Sequence, residues 1–248
     1  MLENHSYQVY FFGDFREIEA ESKIVMKLMQ LLERFSMVPG TSHELNPGIS
    51  PVPVPRPMFT SFADDFSIEI GSERISIIKN SVRNNGDDTE NIRKFVNDST
   101  YILDKITTEF NKKGSRISLV TEGLFSQMDE EKLDSMYLKF ASPLGYYESN
   151  KPVEWNSRSV SRIKQDVVDR EETINVITEV GRIQGRINNN GMINDFDRIN
   201  LKVDINTIPQ LAENRLKTES IESFLNLAME NRKELISQVE MVMNGESI

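Results

Sequence analysis

The clearest structural pattern in the chain runs from residue 158 to residue 243. It reads RSVSRIKQDVVD (158–169), TINVITEVGRIQGRIN (173–188) and MINDFDRINLKVDIN (192–206), followed by TESIESFLNLAMENRKELISQVEMVM (218–243). The first three segments have the β-branched residues and alternation typical of strands, and Asn-Asn-Asn-Gly at 188–191 predicts a hairpin turn. The last segment has apolar residues at helical spacing. In 199–205 every second residue is apolar, so one face of the strand should be buried and the other exposed to solvent, which predicts an antiparallel sheet.

The first half of the chain has a similar order of elements. Residues 6–15 predict a central strand because they are apolar on both faces, and a helix with a buried stripe follows. FSIEIGSERISII (66–78) predicts a hairpin, a second amphipathic helix ends at Lys112-Lys113-Gly114, and RISLVTEGLF (116–125) is a further strand. PVPVPRP (51–57) has proline at every second position and predicts a stiff crossing loop.

The segment from Pro143 to Pro152 is the best candidate boundary in the chain, since it combines prolines, a glycine and polar residues. We therefore expect an α+β fold of two lobes, each an antiparallel sheet with packed helices. Residues 1–145 would form an N-terminal α+β lobe. Residues 151–248 would form a second lobe of antiparallel strands plus a long C-terminal helix. That helix should dock on its own sheet, and the alternative is contact with a second copy in a homo-oligomer.

The composition excludes several classes of function. The chain has 248 residues, a net charge of −10 and no cysteine. Disulfides, thiolate catalysis and cysteine zinc sites are therefore excluded, and a reducing compartment is favoured. Free duplex nucleic acid would be repelled on average. Since the sequence has no apolar run of membrane-spanning length, we expect a cytoplasmic protein with no membrane association.

Catalytic motifs are missing from the sequence. It has no phosphate-binding glycine loop, no nucleophile elbow and two histidines. Carboxylates remain as alternatives. A metal-dependent hydrolase or nuclease could use Asp64, Asp65 and Glu69, and Asp195 with Asp197 could bind a hard cation. Neither set has the spacing of a known metal motif, so we expect a protein without cofactor and without catalytic activity.

Basic and aromatic residues provide the other candidate contacts. Arg158 and Arg162, then Arg182 and Arg186, are evenly spaced on neighbouring strands and could share one face. Such a face could hold an anion or an acidic partner, or could pair with neighbouring acids. Trp155 lies beside the expected boundary, and aromatic residues are common at interfaces.

Several segments resemble those of a sporadically distributed bacterial family of conserved hypothetical proteins. FTSFADDFSIEIGSERISI (59–77) resembles its short paired strands, and ENIRKFVNDSTYILDKI (90–106) resembles the helix that follows them. RISLVTEGLF resembles a strand in which that family often carries an arginine-rich signature ending in asparagine, of which Arg116 remains. LKVDINTI (201–208) and ESFLNLAMENRKELISQVE (222–240) resemble its last strand and helix. The resemblance implies an accessory bacterial gene from a mobile-element or phage-defence locus.

These observations predict a non-catalytic interaction subunit that binds a protein partner. Two alternatives remain open: a metal-dependent hydrolase that uses the acidic cluster, and a sensor of small anions that uses the arginine face.

Overall fold

The computed structural model describes residues 2–46, 50–61, 66–80, 88–141, 144–168, 170–189, 192–211 and 213–246. The strands are β1 (Leu2–Gly13), β2 (Val38–Asn46), β3 (Ser50–Ser61), β4 (Phe66–Ile70), β5 (Arg74–Asn80), β6 (Gly114–Phe125), β7 (Trp155–Val167), β8 (Arg170–Asn189) and β9 (Met192–Thr207). The helices are α1 (Ser22–Leu31), α2 (Asp88–Glu109), α3 (Glu130–Phe140), α4 (Gly145–Ser149) and α5 (Thr218–Asn244), and a 3₁₀ turn spans Glu33–Phe35.

The strands of the described residues form one antiparallel sheet in the order β2-β3-β4-β5-β1-β6-β9-β8-β7. The prediction of two lobes is therefore wrong, although the fold is α+β. β1 pairs with β6 from Leu2↔Phe125 to Gly13↔Gly114, and β6 pairs on its other side with β9. The two expected units, residues 1–145 and 151–248, thus contribute strands to the same hydrogen-bond ladder.

Both halves of the chain follow the same path through the sheet. Each begins with a central strand, β1 or β6, and then passes through helical segments to the outer edge. Each returns strand by strand towards the centre, through β2-β3-β4-β5 or β7-β8-β9, and ends in a long helix. The two central strands lie side by side and antiparallel. The sheet is therefore continuous although its halves are built from separate stretches of sequence.

The helices cover one face of this sheet, which we call the helix face. Helix α5 contacts β6, β7, β9 and α2, and α2 contacts β1. The docking of α5 on its own sheet agrees with the apolar stripe in its sequence. Its residues Ile221, Phe224, Leu225 and Ala228 are fully buried. The strands contribute these fully or almost fully buried residues to the same core: Tyr7, Val9, Phe11, Ile68, Ile75, Ile77, Ile117, Leu119, Ile199, Leu201, Val203 and Ile205.

A buried polar network ties the two halves together beneath α5. Arg232 is 4% exposed and interrupts the apolar stripe of the helix. Its Nη2 donates to Asp88 Oδ2 at 2.9 Å, and its Nε donates to Thr121 Oγ1 at 2.9 Å. The other carboxylate oxygen of Asp88 accepts from Tyr7 Oη at 2.7 Å and from Asn4 Nδ2 at 2.6 Å. The network thus joins α2, α5 and both central strands.

The proline-rich segment is a strand rather than the predicted crossing loop. β3 pairs with β2 along its proline part, for example Thr41↔Pro57 and His43↔Pro55, whereas β4 pairs with β3 over 58–61. Because these prolines are spaced by two, their nitrogens all point to the same side of the strand. The residues between them remain free to donate to β2, so the ladder tolerates prolines at this edge.

Candidate functional site

The side of the sheet opposite the helices is the candidate site, and we call it the polar face. On β1, Tyr7, Val9 and Phe11 point to the helix face, so Gln8, Tyr10 and Phe12 point to the polar face. The register carries this alternation across the neighbouring strands. The polar face then comprises Arg74, Ser76 and Ile78 from β5, Arg116, Ser118, Val120 and Glu122 from β6, Asn200, Lys202, Asp204 and Asn206 from β9, Asn175, Ile177 and Glu179 from β8, and Arg158, Val160, Arg162 and Lys164 from β7.

A row of hydrogen-bonding side chains crosses the polar face. Ser118, Asn206, Asn175 and Arg162 are opposite one another in register on four neighbouring strands. Arg162 Nε donates to Asn175 Oδ1 at 3.1 Å, and Asn175 Nδ2 donates to Asn206 Oδ1 at 3.2 Å. Asp204 Oδ1 accepts from Asn206 Nδ2 at 2.9 Å and from Ser118 Oγ at 2.7 Å. The row therefore holds its side chains in fixed orientations.

A second row alternates in charge. Glu122 is opposite Lys202, Lys202 is opposite Glu179, and Glu179 is opposite Arg158. The outermost pair is an ion pair, with Arg158 Nε 3.0 Å from Glu179 Oε1. Opposite charges in directly facing positions stabilise a sheet. The row ends on the cation of the edge strand β7.

Between these rows lies a less polar strip. Ile78, Val120 and Ile177 belong to it, and Val160, at the edge, is 47% exposed. Gln8 and Asp204 interrupt the strip. Val120 is itself buried, and Ile78 and Ile177 are only partly exposed, so the apolar contact area of the polar face lies mainly at Val160.

Two arginines and two aromatic rings form the end of the polar face near the β4–β5 turn. The Arg116 guanidinium lies 4.8 Å from the centre of the Phe12 ring, and that of Arg74 lies 5.3 Å from the centre of the Tyr10 ring. Such cation–π contacts are weak when exposed and stronger when desolvated. Burial raises the pKa of Tyr10, and nearby Asp204 adds to this while Arg74 opposes it. The Nε of Arg116 is buried and has no hydrogen-bond partner among the described residues.

The arginine face expected from the sequence does not form as one surface. Arg158 and Arg162 lie on the polar face, whereas Arg182 is opposite Trp155 in register and lies on the other side of the sheet. Arg186 has the same parity as Arg182 on β8 and forms an exposed ion pair with Asp195 at 2.6 Å. The structure thus separates the predicted group into two pairs on opposite faces.

Arg182 is an internal ion-pair residue. It is 4% exposed, and it donates to both carboxylate oxygens of Asp197, at 2.9 and 2.7 Å, and to Asp134 of α3 at 2.8 Å. The hydrogen bonds from Arg182 are the main cause that lowers the pKa of Asp197, and burial opposes them. Trp155 is buried beside this cluster and packs against Tyr137 and Phe140 of α3. This set anchors α3 on the sheet.

The predicted acidic clusters have different outcomes. Asp64 and Asp65 lie outside the described residues, and Glu69 is exposed on the polar side of β4, opposite Met58 and Ser76. Asp195 and Asp197 each pair with an arginine rather than with each other. In the described part of the chain no group of three or more histidine, aspartate or glutamate residues is arranged to hold a metal ion.

Sequence reasoning found part of this surface and missed the rest. The alternation in 199–205 predicts a wet face that includes Asn200, Lys202 and Asp204, and these residues do lie on the polar face. Tyr10 and Arg116 were missed because their proximity depends on the pairing of β1 with β6.

Among the described residues no helix is long and apolar enough to cross a membrane. A comparison with models of known protein families gives no match, and no protein of curated function matches the chain.

Proposed function

We propose that the protein is a non-catalytic interaction subunit that binds a protein partner through its polar face. The observation that supports this proposal is the helix-free surface of a broad sheet that carries ordered polar groups, apolar side chains and aromatic rings together. Surfaces of this mixed kind are typical of non-obligate protein interfaces, in which a small apolar centre is surrounded by polar contacts.

The signs of the charges favour a protein partner over a nucleic acid. Described cations of the polar side include Arg74, Arg116, Arg158, Arg162, Lys164 and Lys202, and described carboxylates include Glu69, Glu122, Asp166, Glu171, Glu179 and Asp204. A phosphate backbone would meet these carboxylates as well as the cations, and the net charge of the chain is −10. A protein surface with charges of both signs can complement such a pattern.

The test is capture of the partner from the native host with matched variants. Arg116→Glu combined with Lys202→Glu should abolish capture, because it reverses two cations of the polar face. Lys23→Glu combined with Lys113→Glu changes the net charge equally at exposed sites away from that face, and should leave capture intact. Thermal melts establish that both variants fold.

Two outcomes contradict the proposal. Equal capture by both double variants would show that the partner binds elsewhere. Tight binding of duplex DNA at physiological salt, lost in Arg116→Glu with Lys202→Glu, would show a nucleic-acid partner instead. Identification of the genes beside this one in the host genome would test the accessory role in a mobile-element or phage-defence locus.

A second candidate is binding of a small anion between Arg74 and Arg116. It is supported by the Nε of Arg116, which has no acceptor in the described part of the chain, since a buried donor without an acceptor is costly and an oxyanion would satisfy it. Titration with inorganic phosphate, followed by NMR of the arginine Nε–H groups, should shift the Arg116 signal in a saturable way. If the Arg116 signal does not shift when the phosphate concentration is raised to the salt concentration of the buffer, this candidate is contradicted.

A further inference from the structure

The strand β7 is an open edge of the sheet with unusual exposure. It pairs with β8 along its whole length, from Trp155↔Arg182 to Val167↔Arg170, and β7 is the last strand in the sheet order. Residues 158–162 are all exposed. In an antiparallel edge strand, every second residue directs its N–H and C=O away from the sheet, where they can pair with an added strand. Natural edges of this length are normally covered or blocked; β7 contains no proline and pairs with β8 without a bulge, so the blocking feature that it carries is its charged side chains.

The rows of the polar face specify what an added strand would carry. The charged row runs Glu122, Lys202, Glu179, Arg158, so its next position is acidic. The hydrogen-bonding row ends on Arg162, which has no carboxylate partner among the described residues. Lys164 pairs with Glu171 on its inner side, at 2.8 Å, and its outer side is exposed.

The remaining positions complete the pattern. The apolar strip ends on Val160, so the position beyond it is apolar. Asp166 is opposite Glu171, and a basic residue beyond it would relieve the like charges. An antiparallel strand that follows these rows would carry, at alternate positions, a basic residue, two acidic residues, an apolar residue and a third acidic residue.

A second copy of β7 would bring like charges together in registers centred on the middle of the strand, whereas a register centred on residue 165 would place Lys164 opposite Asp166. In an antiparallel pair related by a twofold axis through any residue from 160 to 163, a cation of one copy is opposite a cation of the other, because Arg158, Arg162 and Lys164 then face one another in different combinations. Like charges in facing positions destabilise a sheet. No segment of the sequence has the acidic and apolar spacing described above in either direction.

We propose that β7 takes up an extended acidic segment of the partner protein as an additional antiparallel strand. This inference rests on the function proposed above and states which part of the partner is recognised. Main-chain hydrogen bonds to the edge would provide affinity for any extended chain, and the cations on alternate residues of β7 would select acidic side chains. Arg162 is the central selective residue, because it has no competing carboxylate among the described residues.

The first experiment uses a labelled synthetic peptide and fluorescence anisotropy. Its alternate residues are lysine, glutamate, glutamate, valine and glutamate, with threonine between them. We expect saturable binding, and at least about tenfold weaker binding when the glutamates are replaced by lysine. The triple variant Arg158→Glu, Arg162→Glu, Lys164→Glu should lose the peptide, and Lys23→Glu, Lys113→Glu, Lys233→Glu should retain it, since these lysines are exposed elsewhere.

The second experiment locates the peptide without altering the protein. Amide hydrogen exchange by NMR should show new protection at alternate residues of β7 when the peptide is added, because only the outward N–H groups gain partners. Unchanged exchange in β7 despite binding would overturn the proposal, and so would equal binding of the lysine peptide. Light scattering that shows a dimer dissociated by the triple variant would assign the edge to a second copy instead.

Failure of this inference is separable from failure of the proposed function. If the triple variant of β7 still captures the native partner while Arg116→Glu with Lys202→Glu does not, the polar face is the interface and the edge strand is not part of it.

Discussion

Replacement of Arg232 by methionine tests whether the buried network beneath α5 holds the two halves of the sheet together. Methionine has a similar length and favours helix, so the change removes the charge and its hydrogen bonds but little volume. The replacement removes one hydrogen bond to Asp88 and one to Thr121, both at 2.9 Å. Hydrogen bonds to a charged group contribute about 1.5–3 kcal/mol each.

The expected cost is smaller than the sum of those bonds. The Asp88 side chain is 27% exposed and keeps its bonds from Tyr7 and Asn4, so water and these donors partly replace the lost cation. Burial of the Arg232 charge is itself unfavourable, and methionine avoids that cost. We therefore expect Arg232→Met to lower the free energy of unfolding by about 2–4 kcal/mol.

Urea denaturation followed by circular dichroism measures this change. The reverse deletion, Asp88→Ala, should cost at least as much, because it leaves the guanidinium of Arg232 buried without its carboxylate. Arg158→Met is the matched control: its ion pair with Glu179 is exposed, and its loss should cost under about 1 kcal/mol. An Arg232→Met protein as stable as the wild type would refute the reasoning, since the network would then contribute nothing.

Three further substitutions test the core, an ion pair and a close approach. Leu225→Ala should lower the free energy of unfolding by about 2–5 kcal/mol, measured by urea denaturation, because this side chain on the inner side of α5 is fully buried. Asp197→Asn should destabilise the protein at neutral pH and flatten the fall in stability below about pH 4, measured by thermal melts across pH. Arg182 keeps the folded-state pKa of Asp197 below its ordinary value of 3.8. The ion pair therefore stabilises the folded protein above that pH, and this contribution is lost as the pH falls through the folded-state pKa. Gly114→Ala should lower the melting temperature, because an added Cβ would overlap the buried ring of Phe11.

Each of these substitutions has a matched control of the same residue type. Leu235→Ala should cost less than Leu225→Ala, because Leu235 is only partly buried. Asp195→Asn should cost less stability at neutral pH than Asp197→Asn, since its pair with Arg186 is exposed on both sides. Gly145→Ala should be neutral, because no atom lies within 4 Å of the added Cβ. Equal effects within any of these pairs would contradict the burial assigned to the first member.

The separation of the predicted arginine face shows why a pattern on single strands does not define a surface. The sequence places the first two strands at 158–169 and 173–188, and a turn centred between those ranges would make even residues of one strand face even residues of the other. The strands instead turn between Val167 and Arg170, so even residues of β7 face odd residues of β8. A one-residue shift of register moves every side chain to the other face. The sequence signal of the turn is too weak to fix that register.

Local patterns in the sequence determined most elements of this protein, with the proline-rich β3 as an exception. Apolar residues on both faces predicted β1, alternation predicted β4, β5 and the strands of the last hairpins, RISLVTEGLF predicted β6, and helical spacing predicted α2 and α5. It also predicted that α5 would dock on the dry side of residues 199–205, because an apolar face of a sheet requires a cover. These features depend on residues close together in the chain.

Tertiary structure alone decided how the elements combine. The pairing of β1 with β6, which turns two expected lobes into one sheet, joins residues more than a hundred positions apart, such as Tyr7 and Thr121. The network around Arg232 and the rows of the polar face depend on that pairing and on the register of each strand with its neighbours. A strand carries the same hydrogen-bonding groups whichever partner it takes, so its sequence alone does not specify its neighbour.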